Sequence, residues 1–203
     1  MAVAVAELIS PQEYLELERK SETKHEYIAG RVIEMAGGSE KHNTIASNVL
    51  ITLGFQLRGR LGKAYSSDMR VYVPATGLYT YPDVTAIADK PLLDDSERDI
   101  LLNPTVIVEV LSDSTEQYDR GEKFQNYRTI DSLQEYIMIA QDSHRVEHYV
   151  RQSNGQWLFS EATSLEATIH LPSIDCELPL RDVYDKVEIS ASSASHPLNG
   201  HQG

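Results

Sequence analysis

Thr105-Val106-Ile107-Val108-Glu109-Val110-Leu111 is an almost unbroken apolar run interrupted by one carboxylic acid. Alternating apolar and polar residues would mark a strand with one wet face. A continuous run such as this one marks a strand covered on both faces. Glu109 is then the residue to explain, because burying an ionised carboxylate is costly unless it is paired or holds a metal. A salt bridge to Arg or Lys, or a place on an edge strand, would account for it as well as a chemical role.

Upstream, Asp83 opens a second β-rich run, residues 83–88, behind Tyr81-Pro82. Pro82 is expected at the start of that strand, where a missing N–H donor is tolerated. If the two strands pair, Asp83 and Glu109 offer the oxygen ligands that Mg²⁺ or Mn²⁺ prefers and leave coordination positions for water and phosphate. Downstream, residues 113–115 read as a turn and 116–130 as a helix, on which Asp119, Lys123 and Tyr127 share one face at i, i+4 spacing. An ordinary Asp119–Lys123 bridge explains that spacing equally simply.

The remaining elements surround this pair. Ser10-Pro11-Gln12-Glu13 is a capping box opening a helix over 11–19. Residues 25–35 form a hairpin turning at Ala29-Gly30, and Glu26 before that turn is either a third acid or an exposed strand glutamate. Ile45, Val49, Leu53 and Leu57 recur every four residues and predict a long amphipathic helix over 41–61. His42, at its start beside Asn43, is read first as a solvated helix terminus and second as a group behind the phosphate site. Strands are expected at 64–67 and 69–73, a long loop or flap at 89–103, a meander at 135–140, 145–151 and 157–161, and a short helix at 178–183. Tyr136, Tyr149 and Trp157 fall in the meander strands and are packing residues. Ser112 and Ser114 lack the nucleophile elbow of a serine hydrolase.

At 203 residues and 41% hydrophobic, the composition fits one domain over 1–189 followed by a disordered tail at 190–203. Cys176, the single cysteine, excludes an intrachain disulfide framework and a thiolate zinc site, which points to a reducing, cytoplasmic setting. The apolar start, Met1 to Ala6, lacks a basic region and is a poor signal peptide. No apolar run reaches the roughly 18 residues of a membrane helix. The net charge of −13 argues against a protein that coats duplex nucleic acid, because such affinity comes from Lys and Arg on phosphates. A local groove, or carboxylates whose positive charge comes from bound metal, remains compatible with it.

Tyr81-Pro82-Asp83 followed by Glu109-Val110-Leu111 is similar to the PD-(D/E)XK nuclease pattern. With His25-Glu26-Tyr27-Ile28-Ala29-Gly30 and Tyr118-Asp119-Arg120-Gly121-Glu122-Lys123 in the same order, the chain resembles the Uma2 family (formerly DUF820) over residues 10–186. That resemblance implies a restriction endonuclease-like α/β fold, a mixed β-sheet flanked by helices. It implies metal-dependent phosphodiester hydrolysis of a nucleic acid, DNA being the expected polymer, in an assembly for which a homodimer is admitted. The implied ligands of Mg²⁺ or Mn²⁺ are Asp83, Glu109 and the backbone carbonyl of Val110, with Glu26 as a further acid. The pattern departs at Leu111, where the superfamily has its lysine, and the resemblance implies that Lys123 takes over from the following helix, with His42, Asp119 and Tyr127 behind it. The rival expectations are a non-catalytic interaction module of this fold and a hydrolase of a small phosphodiester.

Overall fold

The computed structural model describes residues 8–94, 97–112 and 115–189; the expected tail and Ser114 lie outside them. The chain begins with α1 (Pro11–Glu18), β1 (His25–Ile28), β2 (Arg31–Glu34) and α2 (Glu40–Gln56). It continues through β3 (Lys63–Ser66), β4 (Arg70–Val73), β5 (Leu78–Thr80), β6 (Val84–Ile87), β7 (Leu93–Asp94), β8 (Ile100–Leu101) and β9 (Val106–Leu111). A helical segment follows, made of α3 (Glu116–Tyr118), a π turn (Asp119–Lys123) and α4 (Phe124–Tyr127). The last elements are β10 (Glu135–Ala140), β11 (Val146–Arg151), β12 (Trp157–Ala162), β13 (Thr168–Leu171), β14 (Cys176–Pro179) and α5 (Leu180–Val183).

Strand β9 is central, as its composition requires. It lies in a mixed sheet of order β12-β11-β10-β9-β6-β3, parallel to β10 and antiparallel to β6. All six of its residues are buried. Its period of two separates two cores. Val106, Val108 and Val110 face a cluster with Ile45, Val49 and Leu53 of α2 and with Ile169 and Leu171 of β13. Ile107 and Leu111 face the other cluster, with Tyr127, Tyr136 and Met138 and with Val71, Val73 and Leu78 of a second sheet, ordered β2-β1-β5-β4-β8-β7. Glu109 shares the parity of this second face. Burying Ile45, Val49 and Leu53 completely stabilises the α2 layer by about 1.5–3 kcal/mol for each side chain.

Several local expectations hold. Ser10 and Glu13 form the capping box, and the β1–β2 hairpin turns on Ala29 (φ 50°) and Gly30 (φ 84°), the two positive φ angles that a type I′ turn needs. Others are corrected. The long helix ends at Gln56 with Leu57 as its cap, and Leu61 is exposed because Gly59 at φ +76° turns the chain away. Pro82 precedes β6 rather than opening it. The 89–103 segment is no structureless flap: β7 and β8 pair within it, and β8 lies parallel to β4. The 116–130 helix carries the π turn and ends at Tyr127. Residues 178 and 179 close β14, so the last helix is only α5.

Candidate functional site

The antiparallel register of β6 and β9 pairs Val84 with Val108. One step further along, Asp83 comes beside Glu109. There the Asp83 side chain takes over the role of a strand backbone: its Oδ2 accepts the Val110 N–H at 2.7 Å. Glu26 reaches the same place from β1, where its carboxylate accepts from the Thr80 hydroxyl of β5 and, at 3.1 Å, from the Tyr118 hydroxyl.

Lys123 enters from the π turn and stands among three acids. Its Nζ is 3.1 Å from Glu109, 3.4 Å from Asp119 and 3.5 Å from Glu26, and none of the four side chains exceeds 7% exposure. Burial opposes the charge of the ammonium, but Glu109, Glu26 and Asp119 outweigh it and hold Lys123 well above the usual lysine range. Burial pushes Glu109 well above the usual carboxylate range, against the pull of Lys123, and Asp119 and Asp83 add to the rise. Asp119 is raised by burial for the same reason, with Lys123 only partly offsetting it. The Tyr127 hydroxyl donates to Glu109 Oε1 at 2.8 Å.

His42 is not a solvated helix end. Its Nε2 lies 3.1 Å from Asp83 Oδ2, with side chains 17% and 16% exposed. Burial would lower its pKa, yet Asp83 more than compensates and raises it. Glu26, His42, Asp83, Glu109, Tyr118, Asp119 and Lys123 all line one cleft of about 600 Å³. Among the described residues, five of its lining side chains are carboxylates (Glu26, Glu34, Asp83, Glu109 and Asp119), and Lys123 is the sole lysine or arginine. Such an excess of negative charge in a half-buried space favours either proton uptake by a carboxylate or the binding of a cation.

Among the described residues, no three His, Cys, Asp or Glu side chains form a ready-made metal-holding group. The donor chemistry nonetheless fits a hard divalent ion. Glu109 commits Oε1 to Tyr127 and Lys123, and Asp83 commits Oδ2 to Val110 and His42. One oxygen on each carboxylate is left without a hydrogen bond from the described residues. Mg²⁺ is characteristically bound by one or two carboxylates and completes its shell with water and phosphate oxygens. Glu26, by contrast, has both oxygens engaged, by Thr80 and Lys123 on one and Tyr118 on the other.

The structure thus gathers Glu26, His42, Asp83, Glu109, Asp119 and Lys123 at one cleft, which Val110 also lines, and sets Tyr127 behind it on Glu109. Thr80, Tyr118 and Tyr81 were not anticipated. Tyr81 accepts from Arg70 Nε at 2.8 Å and donates to Glu18 at 2.9 Å. The run Tyr79-Thr80-Tyr81-Pro82-Asp83 carries a signal for two of these, since Thr80 and Tyr81 stand within three residues of the Asp.

Two proteins of Synechocystis sp. (strain ATCC 27184 / PCC 6803 / Kazusa) are similar in sequence. Uncharacterized protein sll1609 is 38% identical over 169 residues, covering 83% of this chain and 96% of its own length. Uncharacterized protein slr1290 is 35% identical over 150 residues, covering 74% and 78%. A crystal structure described as a putative nuclease belonging to DUF820 from Anabaena variabilis ATCC 29413 superposes with a TM-score of 0.72 at 21% identity, over 89% of this chain and 99% of the other. That likeness establishes the restriction endonuclease-like α/β fold. The family model described as "Putative restriction endonuclease" matches residues 11–181, and the chain belongs to this family, Uma2.

Proposed function

We propose that the chain is a metal-dependent nuclease that hydrolyses phosphodiester bonds in nucleic acid, DNA being the expected polymer. The observation that carries this reading is the meeting of Asp83, Glu109 and Lys123 in one acidic cleft. Asp83, Glu109 and the carbonyl of Val110 would hold Mg²⁺ or Mn²⁺. When bound, the ion supplies Lewis-acid polarisation of a phosphate and lowers the pKa of water.

The chain's own groups do the rest. Tyr127 and Lys123 fix Glu109 by its Oε1, which sets the direction of the remaining oxygen. Glu26 holds Lys123 rather than a metal, since Thr80 and Tyr118 already engage it. Lys123, kept charged by its acids, offsets negative charge as it grows on the phosphate oxygens.

The test is cleavage of single- and double-stranded DNA and RNA in Mn²⁺ or Mg²⁺ by wild type, Asp83→Asn, Glu109→Gln and Lys123→Met, each checked for folding. Metal-dependent cutting lost in every folded variant is expected. Cutting that persists in them removes the mechanism.

The net charge of −13 and the seating of Lys123 directly on Glu109 favour one rival, a non-catalytic interaction module of the same fold. Such a module has no need of a cation, so Mn²⁺ binding by the wild-type chain separates the two.

A further inference from the structure

We infer that His42 is a positioning residue that sorts the two oxygens of Asp83, committing Oδ2 to the protein and leaving Oδ1 to a divalent cation. The inference rests on the metal-dependent reading above and concerns the chain's preparation of its own ligand.

The residue is held at its backbone and at two places on its ring. Ser39 caps α2: its hydroxyl accepts the His42 backbone N–H at 3.1 Å and donates to Gln141 at 2.7 Å, which ties the helix start to the residue that follows β10. Gly38 lies against the back of the ring so closely that a Cβ there would stand 2.4 Å from His42 Nδ1. Nδ1 itself is buried and has no hydrogen-bond partner among the described residues. The ring's polar contact with the protein is therefore made through Nε2, to Asp83 Oδ2.

The backbone N–H of Val110 also binds Oδ2. Two donors on one oxygen fix the carboxylate plane, and a carboxylate fixed by one oxygen presents the other. If His42 served only to end a helix, Ser39 alone would meet the need, and nothing would require a glycine pressed against an imidazole. Groups that orient a ligand in this way typically contribute about 10–100-fold to metal affinity.

The experiment is Mn²⁺ binding to the full chain, followed by the electron paramagnetic resonance signal of free Mn²⁺ and needing no substrate. Wild type, Asp83→Asn, His42→Ala and His42→Gln are compared, Gln being able to place an amide N–H near the position of Nε2. Binding should weaken about 10–100-fold in His42→Ala, at least as far in Asp83→Asn, and return most of the way in His42→Gln. If His42→Ala does not fold, His42→Asn replaces it, since its shorter amide stops short of Asp83, and the same loss is expected. Wild-type affinity in a folded His42→Ala, alongside weakened Asp83→Asn, overturns the role of His42 and leaves the metal reading standing. A wild-type chain that binds no Mn²⁺ overturns both.

Discussion

Replacing Lys123 with Met removes the one cation from a buried quartet while keeping much of its volume. Its Nζ stands 3.1–3.5 Å from three carboxylates, and all four side chains are 3–7% exposed. Solvent therefore screens little of the interaction. Taking one partner from a buried ion pair costs about 3–5 kcal/mol, mostly the penalty of the charges left behind. Against a total stability of about 5–15 kcal/mol, and with about 2–4 °C of melting temperature per kcal/mol for a chain of this size, a fall of roughly 6–20 °C follows.

The loss should depend on pH in a definite sense. Glu109 and Asp119 are already raised by burial, and losing Lys123 raises them further. A carboxylate whose folded pKa exceeds its unfolded one is most favourable to the fold below the unfolded value and loses that contribution as pH rises through the folded value. The Lys123→Met deficit should thus be smallest in acid and widen above the ordinary carboxylate range. Urea unfolding of chelator-treated protein measures it, read by the fluorescence of Trp157, the single tryptophan, whose ring meets Phe124 next to Lys123. Adding Glu109→Gln to Lys123→Met should recover part of the loss. A Lys123→Met deficit below about 1 kcal/mol at neutral pH, the scale of an exposed pair, or one that ignores pH, would refute the buried-quartet argument.

Tyr127→Phe removes the 2.8 Å donor to Glu109 and should cost about 1–3 kcal/mol in urea unfolding; an unchanged midpoint would mean that the hydroxyl carries nothing. Although burial pushes Asp99 upward, Arg19 and Arg70 hold it below the usual carboxylate range, so it stabilises the fold above its unfolded pKa and ceases to do so as pH falls through the folded value. Asp99→Asn should accordingly melt below wild type at neutral pH, with the gap closing in acid in a series of melting curves. Gly62→Ala would set a Cβ 2.4 Å from the Ile87 carbonyl oxygen, and since backbone cannot swing aside the expected loss is about 1–3 kcal/mol by the same unfolding assay.

What could be read from the sequence was whatever a short window contains. The apolar run at 106–111 marks a strand covered on both faces, the four-residue stripe marks α2, and Asp83 and Glu109 stand out as charges in or beside such windows, whereas Lys123 is marked only by the family resemblance. Strands β7 and β8 are two residues each and β5 three. Pairing across the sheet forms them, as when β8 joins β4, and no local pattern encodes that. His42 was read the wrong way round for a similar reason. A histidine at a helix start is ordinarily solvated, and only the tertiary approach of Asp83 makes it otherwise. The parity of β9 was legible, but the identity of what covers each face was not.

That parity also explains how Lys123 reaches Glu109 from outside the strand. Ile107, Glu109 and Leu111 point to one side, and Leu111, 3% exposed, packs into a core with Tyr127 and Tyr136. The segment 116–127 returns over the same side, so a cation can be lowered onto Glu109 from above instead of growing beside it on the strand. In an unbroken α-helix each four-residue step drifts by about 40°, so Asp119, Lys123 and Tyr127 would share one broad face with its two ends about 80° apart. A π turn, closed by i→i+5 hydrogen bonds, holds more than four residues per turn, so a four-residue step falls short of a full turn and drifts in the opposite sense. Since the π turn spans Asp119–Lys123 and α4 runs on to Tyr127, the two drifts oppose each other. Lys123 and Tyr127 both arrive at Glu109 Oε1. The extra residue of the π turn thus lets a helical segment set an ammonium 3.1 Å from Glu109 on a face where the strand itself carries Leu111.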